Sequence, residues 1–338
     1  MRYYRIKKGK GFSYSDKEGN TVNDLKLKAY FKSLVIPPAW EKVEINTSAR
    51  AKIWATGYDA KSRKQYIYNT KFREAQDNQK FDRIIRFAGK LKYMRRVTGQ
   101  HLRHRKPDRE KVLAAMVRLL EAACFRPGNE YYTKENESYG LTTLRSKHLE
   151  IKGNEMVFTY KGKSGQQQEN HLVDARLTKI VQELDDMPGY EIFKFIDKDG
   201  NIQDVKSEHL NEYIREIMGK NFSAKDFRTW AGTVMAAIAL DEIGAIEEDD
   251  QRKLKKNIRE AVIAVSEKLG NTPAIARSSY IDPRVIDNYV QGNTLTLFEK
   301  QVKKLLKTNE QLSVEELGVL CLLKKGLTKK GKRKEKGK

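Results

Sequence analysis

The chain has 338 residues, and 67 lysines and arginines against 45 aspartates and glutamates give it a formal net charge of +22. This length suits two domains, and the charge favours a polyanionic partner, above all nucleic acid, with a merely solvated charged surface as the alternative. Two cysteines and five scattered histidines exclude a disulfide framework and a zinc motif, and the sequence contains no phosphate-binding glycine loop, signal peptide or long apolar run.

Residues 1–80 are predicted to form a small β-rich domain. The stretch 11–22, "GFSYSDKEGNTV", alternates aromatic and polar residues around a Glu-Gly-Asn turn, which predicts a hairpin. The stretch 25–35 predicts a short helix that ends before a Pro-Pro pair, and 52–69 predicts two more strands around a basic loop. The polar stretch 73–83 is interpreted as a linker between domains.

Residues 81–310 are predicted to form a mostly helical domain with a small β-sheet. The stretch 109–125, "REKVLAAMVRLLEAACF", places its apolar residues on one face of a helix. The stretch 148–173 predicts three strands joined by two turns. Further helices are predicted at 205–220, 226–240, 252–268 and about 297–308.

Residues 311–338 are predicted to form a C-terminal extension. Its last fifteen residues, 324–338, carry nine cations and one acid, so they contribute +8 and leave +14 on the rest of the chain. Because this segment has too few apolar side chains to form a core, we expect a disordered basic tail.

The stretch 269–283, "LGNTPAIARSSYIDP", predicts a capped turn leading into a short helix that ends before Pro283. Tyr280, near the end of that helix, follows two serines in a polar neighbourhood. A tyrosine hydroxyl can attack phosphorus and form a phosphotyrosine. Because its ordinary pKa is about 10, it needs cations nearby to develop phenolate character. Tyr280 is therefore a candidate nucleophile, with simple packing as the alternative.

The chemistry of a phosphodiester defines the other groups that such a site needs. Arginines offer forked donors to the non-bridging oxygens, where negative charge gathers in the transition state. A lysine can protonate the leaving alkoxide. One further hydrogen-bond donor completes the set, and no metal is required where cations do this work.

Two arginines fit these requirements, and each also has an ordinary structural interpretation. Arg126 follows a predicted helix and precedes a Pro-Gly pair, where it could simply complement the end of that helix. Arg228 lies near the start of a helix capped around Ser223, where it could form an ion pair with Asp226 or lie on the surface.

Candidates for the acid and the further donor are equally ambiguous by themselves. Lys163 lies at the tip of the turn between two predicted strands, where its long amine could reach into a cleft. A solvated turn lysine is the alternative, and Lys161 is an equal rival. Asn271 could supply the donor or simply cap the following helix.

No single candidate residue identifies a family, but the order of the motifs along the chain does. Six stretches occur in the order found in the small type IB DNA topoisomerases, and over residues 10–290 the chain resembles the bacterial, poxvirus-like branch of that family. They are "IPPAW", "ATGYDAKSRKQYIYN", "RPGNEYYTKENESYGLTTLRSKH", "YKGKSGQ", "AKDFRTWAGT" and "LGNTPAIARSSY". The resemblance implies an α+β fold of the tyrosine recombinase and topoisomerase type.

The resemblance also assigns a role to each candidate by position. Tyr280 matches the nucleophile that joins the 3′ phosphate of the nicked strand. Arg126 and Arg228 match the arginines that stabilise the transition state, and Lys163 matches the general acid that protonates the 5′-hydroxyl. Asn271 stands where poxvirus members carry a histidine that bonds a non-bridging oxygen.

Five further residues match DNA-contacting positions of the family. In the N-terminal domain, Gln65, Tyr66 and Tyr68 fall in a stretch that contacts the major groove. In the catalytic domain, Tyr132 matches another DNA contact, and Asn129 replaces a lysine of the poxvirus members. The cleavage preference of those members is therefore not assumed for this chain.

The resemblance implies an ATP-independent DNA topoisomerase that relaxes supercoils through a 3′-phosphotyrosine link, without metal or other cofactor. We expect a monomer acting on double-stranded DNA, with no membrane partner, in the cytoplasm at the nucleoid. Two alternatives stay open. A tyrosine site-specific recombinase shares the site but lacks the "IPPAW…KQYIY" pattern, and a non-catalytic DNA-binding protein could retain the fold.

Overall fold

The structure is a computed structural model that describes residues 1–246 and 250–335, without the side chains of 78 and 326–335. The chain divides into two compact units, Met1–Asp82 and Arg83–Lys338. The sequence placed this division at residue 80. The roles that it assigned, DNA binding for the first domain and catalysis for the second, stay predictions. In the described part of the chain, no helix combines the length and apolar character needed to cross a membrane.

The first unit is an antiparallel five-stranded sheet with the helix α1 (Leu25–Ser33), and it also contains the first turns of a longer helix described below. Phe31 of α1 is buried against the rings of Tyr3 and Tyr14 and seals one face of the sheet. The strand order is β2-β1-β3-β4-β5, where the strands are β1 (Arg2–Lys8), β2 (Gly11–Ser15), β3 (Glu41–Asn46), β4 (Ile53–Tyr58) and β5 (Lys64–Tyr68).

The hairpin predicted for residues 11–22 forms only in part. Strand β2 pairs along its length with β1, and the second arm of the hairpin is limited to a bridge between Ser15 and Thr21 and a bond from the Val22 N–H to the Tyr14 carbonyl. The turn itself forms, since the Asp16 carboxylate accepts from the backbone N–H groups of Glu18 and Asn20. No strand follows it because α1 begins at once, with its first N–H groups capped by Asp24. The predicted short helix and the strands of 52–69 are confirmed.

The stretch 73–83, interpreted as a linker between domains, is helical, and the division between the two units falls within it, between Asp82 and Arg83. It lies inside the 32-residue helix α2 (Thr70–His101). The residues that made it look like a linker, mainly Arg, Glu, Gln and Lys, are good helix formers. Their polarity indicates exposure to solvent, which is compatible with a helix.

The second unit is mostly helical, which confirms the predicted α+β fold class. Its centre is α3 (Arg109–Ala123), where an unbroken run, 112–117, is fully buried. The other helices are α4 (Glu130–Asn136), α5 (Ala175–Asp185), α6 (Ser207–Met218), α7 (Ala224–Ile243), α8 (Gln251–Leu269), α9 (Pro273–Ser279), α10 (Pro283–Val290), α11 (Glu299–Leu306) and α12 (Val314–Glu335).

Two small antiparallel sheets complete the second unit. One is the predicted three-stranded sheet, in the order β6-β7-β8, formed by β6 (Leu149–Lys152), β7 (Glu155–Lys161) and β8 (Gln167–Val173). The other is a hairpin of β9 (Lys194–Ile196) and β10 (Ile202–Asp204). The first sheet matters for the site because the turn between β7 and β8 carries Lys163.

The C-terminal extension differs from its prediction. Helix α12 buries Leu317, Val319, Leu320, Leu322 and Leu323 in the core of the second unit. Its backbone stays helical to Glu335, where a disordered tail from residue 324 was expected; residues 336–338 lie outside the described residues. Charge dominated the sequence interpretation, but Lys and Arg are also good helix formers, so the apolar first half of α12 can nucleate the basic second half.

One buried carboxylate fastens this extension to the rest of the unit. Glu316, 8% exposed, accepts from Nη1 and Nη2 of Arg95 at 2.9 and 2.7 Å, from Nε1 of Trp230 at 3.2 Å and from the Ser313 N–H at 2.9 Å. Burial acts to raise the pKa of Glu316, but the bonds and charge of Arg95 outweigh it and lower the pKa. Arg95 also pairs with Glu121.

We expect Glu316→Ala to lower the free energy of unfolding at pH 7 by about 2–4 kcal/mol, since it leaves Arg95 and Trp230 short of a buried acceptor. Urea denaturation measures the difference. The pKa of Glu316 is lower in the folded protein than in the unfolded chain. The Glu316 carboxylate therefore stabilises the fold fully above its ordinary pKa, and this stabilisation is lost as the pH falls through the folded-state pKa. The difference from the wild type should therefore narrow below about pH 4.

Glu260→Ala is the matched control. Glu260 forms an exposed ion pair with Lys256 at 3.8 Å within one helix, and such pairs contribute less than about 1 kcal/mol. Equal losses for the two variants at pH 7 would contradict the proposed importance of the Glu316 cluster.

Candidate active site

The C-terminal end of α8 brings two predicted arginines together. The Leu269 carbonyl accepts from Nη2 of Arg228 at 2.7 Å and from Nη2 of Arg126 at 3.4 Å. The Gly270 carbonyl accepts from Nη2 of Arg126 at 2.7 Å. The last carbonyls of a helix have no partner within it and form the negative end of its dipole. They are therefore suited to hold two guanidinium groups at one place.

Arg228 is a buried residue of the first turns of α7, with 3% of its surface exposed. Its Nη1 donates to the carbonyl of Cys124, which ends α3. It does not pair with Asp226, whose carboxylate binds Arg83 at 2.8 Å and caps the helix through the Ser223 N–H. Both ordinary interpretations of Arg228, a surface residue or an ion pair with Asp226, are therefore wrong.

The backbone of Arg126 is fixed by a close approach of two chain segments. The Arg126 carbonyl accepts from the Leu141 N–H at 2.8 Å. A Cβ on Gly140 would lie 2.5 Å from the Cα of Gly128 and 2.8 Å from the Arg126 oxygen, so only glycine fits there. Burial lowers the pKa of the Arg126 guanidinium, and the nearby charge of Arg228 lowers it further. Two close cations of this kind favour an anionic ligand.

Tyr280 directly follows α9 and lies against this arginine pair. The Arg228 Cζ is 5.0 Å from the centroid of the Tyr280 ring. Burial acts to raise the pKa of the Tyr280 hydroxyl, but the charges of Arg228, Arg126 and Lys225, with a hydrogen bond from Arg228, lower the pKa below its ordinary value. The surroundings therefore favour phenolate character, as a nucleophile requires.

Asn271 contributes to the site and does not cap α9. The cap is Thr272, whose hydroxyl accepts from the Ile275 N–H. The Asn271 Oδ1 accepts from Nη2 of Arg126 at 2.7 Å, while its Nδ2 makes only a long bond, 3.4 Å, to the Leu269 carbonyl. The amide is thus oriented by Arg126 with its donor side less firmly engaged.

Among the described residues, no hydrogen bond or ion pair joins Lys163 to the other four candidates. It begins the turn Lys163–Gly165 between β7 and β8 and is exposed. Among the described residues, its ammonium has no hydrogen bond or ion pair, whereas the ammonium of Lys161 lies 3.8 Å from the carboxylate of Glu137. Lys163 and Lys161, the two candidates for the general acid, therefore differ in their surroundings. The role of Lys163 stays a prediction.

Three site residues lie on α7 that the sequence did not single out. Lys225 precedes Arg228 by three positions, so the i, i+3 spacing on one helix face was a usable signal. A Cβ on Gly232 would come within 2.9 Å of the Tyr280 carbonyl oxygen and 3.0 Å of its Cβ. The Thr233 hydroxyl bonds both the Tyr280 carbonyl and the Asp282 N–H at 3.2 Å. Only the fold reveals the last two.

The predicted DNA-contacting residues of the first unit lie on edge strand β5. Tyr66 and Tyr68 are exposed, and their rings stack with centroids 5.9 Å apart. The Lys64 ammonium lies 6.0 Å from the Tyr66 ring. Gln65 points to the opposite face of the strand, where its Nε2 donates to Asp59. A DNA contact there stays a prediction, and the two tyrosines are better presented for it than Gln65.

The two candidates of the second unit lie on and before α4. Asn129 caps this helix by accepting from the Tyr131 N–H at 2.9 Å. Tyr132 is exposed and meets the Tyr131 ring edge-on. Across the residues that the structure describes, no group of three or more His, Cys, Asp or Glu side chains is placed to hold a metal ion.

Comparison with known proteins defines the class to which this fold and site belong. The catalytic-core model of eukaryotic DNA topoisomerase I matches residues 69–309, and the N-terminal-domain model of bacterial DNA topoisomerase IB matches residues 11–59. The chain therefore belongs to the type IB DNA topoisomerase family, as its motifs predicted, and to the DNA topoisomerase I class of isomerases.

Individual relatives agree with this assignment. DNA topoisomerase 1B of Acanthamoeba polyphaga mimivirus is 30% identical over 291 residues, which cover 85% of this chain and 87% of the relative. DNA topoisomerase 1B of vaccinia virus (strain Copenhagen) is 26% identical over 283 residues, with 82% and 84% covered. DNA topoisomerase 1 of Mycosarcoma maydis is 25% identical over 191 residues, 50% of this chain and 18% of that protein.

We expect Gly232→Ala to slow DNA cleavage while leaving the protein folded. The new methyl group would displace the backbone that carries Tyr280, and a shift near 1 Å at reacting atoms costs roughly 100-fold in rate. Single-turnover formation of a covalent protein–DNA adduct measures the effect.

Gly89→Ala in α2 is the control, because a Cβ there meets nothing within 4 Å. Alanine should be neutral or stabilise that helix by up to about 1 kcal/mol. Wild-type cleavage by Gly232→Ala would show that the tight contact between α7 and Tyr280 does not set the reaction geometry.

Proposed function

We propose that this protein relaxes supercoiled DNA by reversible transesterification, with Tyr280 as the nucleophile. The observation that carries the proposal is the position of the Tyr280 ring, whose centroid lies 5.0 Å from the guanidinium carbon of the buried Arg228. Against the effect of burial, the charge of Arg228 lowers the pKa of the tyrosine hydroxyl. A second arginine, Arg126, donates to the Gly270 carbonyl at the end of α8. Fixed cations beside a tyrosine suit attack on a phosphodiester, since they favour both the phenolate and the charge of the transition state.

In the cleavage step, the Tyr280 oxygen attacks the phosphorus of one strand. A bond from tyrosine oxygen to phosphorus forms, the bond from phosphorus to the 5′ oxygen breaks, and the tyrosine proton leaves to solvent. The released 5′-hydroxyl strand can then swivel about the intact strand. Attack by the same hydroxyl reverses the bond exchange and frees Tyr280.

Arg126 and Arg228 would bind the non-bridging oxygens of the reacting phosphate. Their guanidinium groups are already placed by carbonyls at the ends of α3 and α8, so little reorganisation is needed. Asn271 would donate from Nδ2 to one of these oxygens, because its Oδ1 is engaged by Arg126. An amide can accept from an arginine and donate to a phosphate at the same time.

Lys163 would supply the proton that the departing 5′ oxygen needs. It lies at an exposed turn, and no described group neutralises it, whereas Glu137 faces Lys161. An ammonium group without a counter-ion on a hairpin can approach a bound DNA strand and donate a proton to its departing 5′ oxygen. This assignment rests on the family position and on the difference between the two lysines.

Bond energy is conserved in the phosphotyrosine link, which explains why no ATP would be needed. The cations of the site would do the work that a metal does elsewhere. We further propose that the protein acts as a monomer on duplex DNA, with Tyr66, Tyr68 and Tyr132 among its contacts, and that it resides in the cytoplasm at the nucleoid.

Relaxation of a supercoiled plasmid in EDTA, without ATP, tests the proposed function. We expect both positively and negatively supercoiled circles to relax, because the reaction draws only on torsional strain. The plasmid should carry no recombination sites, so that a site-specific recombinase would leave it unchanged. Strict dependence on ATP or a divalent metal would refute the proposed mechanism.

Tyr280→Phe should bind duplex DNA about as well as the wild type, yet form no covalent adduct and relax nothing. The change removes one oxygen, the attacking one, and with it the hydrogen bond from Arg228. Because Arg228 keeps its bonds to the carbonyls of Cys124 and Leu269, the protein should stay folded. Gel retardation measures binding, and peptide mapping of the wild-type adduct should place the nucleotide on the fragment containing "SSYIDPR".

Tyr190→Phe is the control for this variant, since Tyr190 is 81% exposed and remote in sequence from the site motifs. Tyr289, nine residues after Tyr280, is a poor rival: it is buried, and its hydroxyl bonds Gly244 and Asn257. An adduct on any other tyrosine would overturn the assignment of Tyr280.

Lys163→Ala should slow cleavage by roughly 100- to 10,000-fold, the usual contribution of a general acid, with DNA binding nearly intact. Sulfur in place of the bridging 5′ oxygen gives a leaving group that needs little protonation, so it should restore cleavage by this variant. Lys161→Ala is the matched control, and an equal defect there, or no rescue by sulfur, would move the role elsewhere.

A further inference from the structure

A glutamine that no motif singled out lies between the predicted catalytic residues. Three glutamines, 166–168, follow the turn that carries Lys163. The side chains of Gln166 and Gln167 are exposed, whereas that of Gln168 is half-buried. Its Oε1 accepts a long bond, 3.4 Å, from Nη1 of Arg126, and its Nε2 donates to the Gln167 carbonyl at 3.1 Å.

Two glycines leave room for this side chain. A Cβ on Gly162 would lie 2.7 Å from the Cγ of Gln168. A Cβ on Gly270 would lie 2.4 Å from its Oε1 and 2.6 Å from its Nε2. Gly162 directly precedes Lys163, and Gly270 directly precedes Asn271. The glutamine therefore packs against the backbone just before two candidate catalytic residues while it contacts a third, Arg126.

We propose that Gln168 is a positioning residue that sets the place of the Lys163 hairpin relative to the arginine pair. The turn is closed by its own backbone bonds, from Gly162 N–H to the Gln166 carbonyl and from Gly165 N–H to the Gly162 carbonyl. Those bonds fix the shape of the turn, whereas its position depends on contacts of the two strands. On β7 the Lys161 carbonyl accepts from the Tyr139 N–H at 2.8 Å, and on β8 Gln168 contacts Arg126. Since a general acid acts only within hydrogen-bond reach, this position governs the rate.

The inference rests on the proposed role of Lys163 as general acid and names a residue that acts through it. It predicts a particular kind of defect. If Gln168 is removed, the arginines keep their carbonyl partners on α3 and α8. The lysine at the hairpin tip loses its placement, so the fault should lie in protonation of the leaving group.

The test measures single-turnover cleavage of a duplex that carries a cleavage site mapped with the wild-type protein, with oxygen or sulfur at the bridging 5′ position. We expect Gln168→Ala to cleave the oxygen duplex roughly 10- to 100-fold more slowly and the sulfur duplex at nearly the wild-type rate. DNA affinity should be unchanged. Gln167→Ala, which trims an exposed neighbour, should cleave both duplexes like the wild type.

Gly162→Ala supplies a second, independent variant. The backbone of Gly162, with φ −91° and ψ −163°, is a conformation that alanine adopts, and the closest atom to its new methyl group would be the Gln168 Cγ. We expect Gly162→Ala to show the same oxygen-specific defect. In the Gln168→Ala background it should add little, because the clashing atom is gone.

The outcomes separate this inference from the proposed function. No covalent adduct with the wild-type protein, or no sulfur rescue of Lys163→Ala, would refute the proposed function itself. If Lys163→Ala is rescued but Gln168→Ala is not, Gln168 acts on the arginines and this inference is wrong. Full additivity of Gly162→Ala and Gln168→Ala, or wild-type cleavage by Gln168→Ala, would also overturn it.

Discussion

The carbonyl end of helix α8 is the feature on which the candidate site depends. Leu269 and Gly270 offer oxygens that the helix itself cannot use, and these oxygens bind Arg228 and Arg126. Two guanidinium groups would repel each other in this half-buried place without such acceptors. The next residue, Asn271, then orients its amide on Arg126. One helix end thus assembles three of the five candidate residues.

Helix α7 adds the candidate nucleophile, Tyr280, to this arrangement by close packing. Gly232 lets the backbone of Tyr280 approach, and Thr233 bonds the chain on both sides of Ile281. On another side of the same helix, Trp230 bonds Glu316 of the C-terminal extension. The extension therefore stabilises the helix that carries Arg228, although it begins after the matched catalytic core, which ends at residue 309.

The hairpin with Lys163 is built differently, because its catalytic candidate is exposed and has no partner among the described residues. A general acid that must reach a departing oxygen benefits from a solvated, extended side chain. Its placement then relies on the strands behind it and on Gln168. Two arginines fixed by carbonyls and an exposed lysine on a turn are suited to opposite tasks. The arginines would hold a phosphate, and the lysine would follow a strand that moves away.

By itself, the sequence determined the family and the fold class and proposed the residues of the candidate site, since these depend on ordered motifs and on the apolar patterns of elements such as α3 and α8. It could not determine how side chains far apart in sequence are paired. Asp226 and Arg228 are neighbours in sequence, yet they bind different partners because α7 is packed against α3 and α8. The helical state of 73–83 and of 324–335 was also hidden, because charge signals exposure and says little about backbone conformation. The inward position of Gln168, one of three consecutive glutamines, was decided only by the tertiary contact of β8 with Gly162 and Gly270.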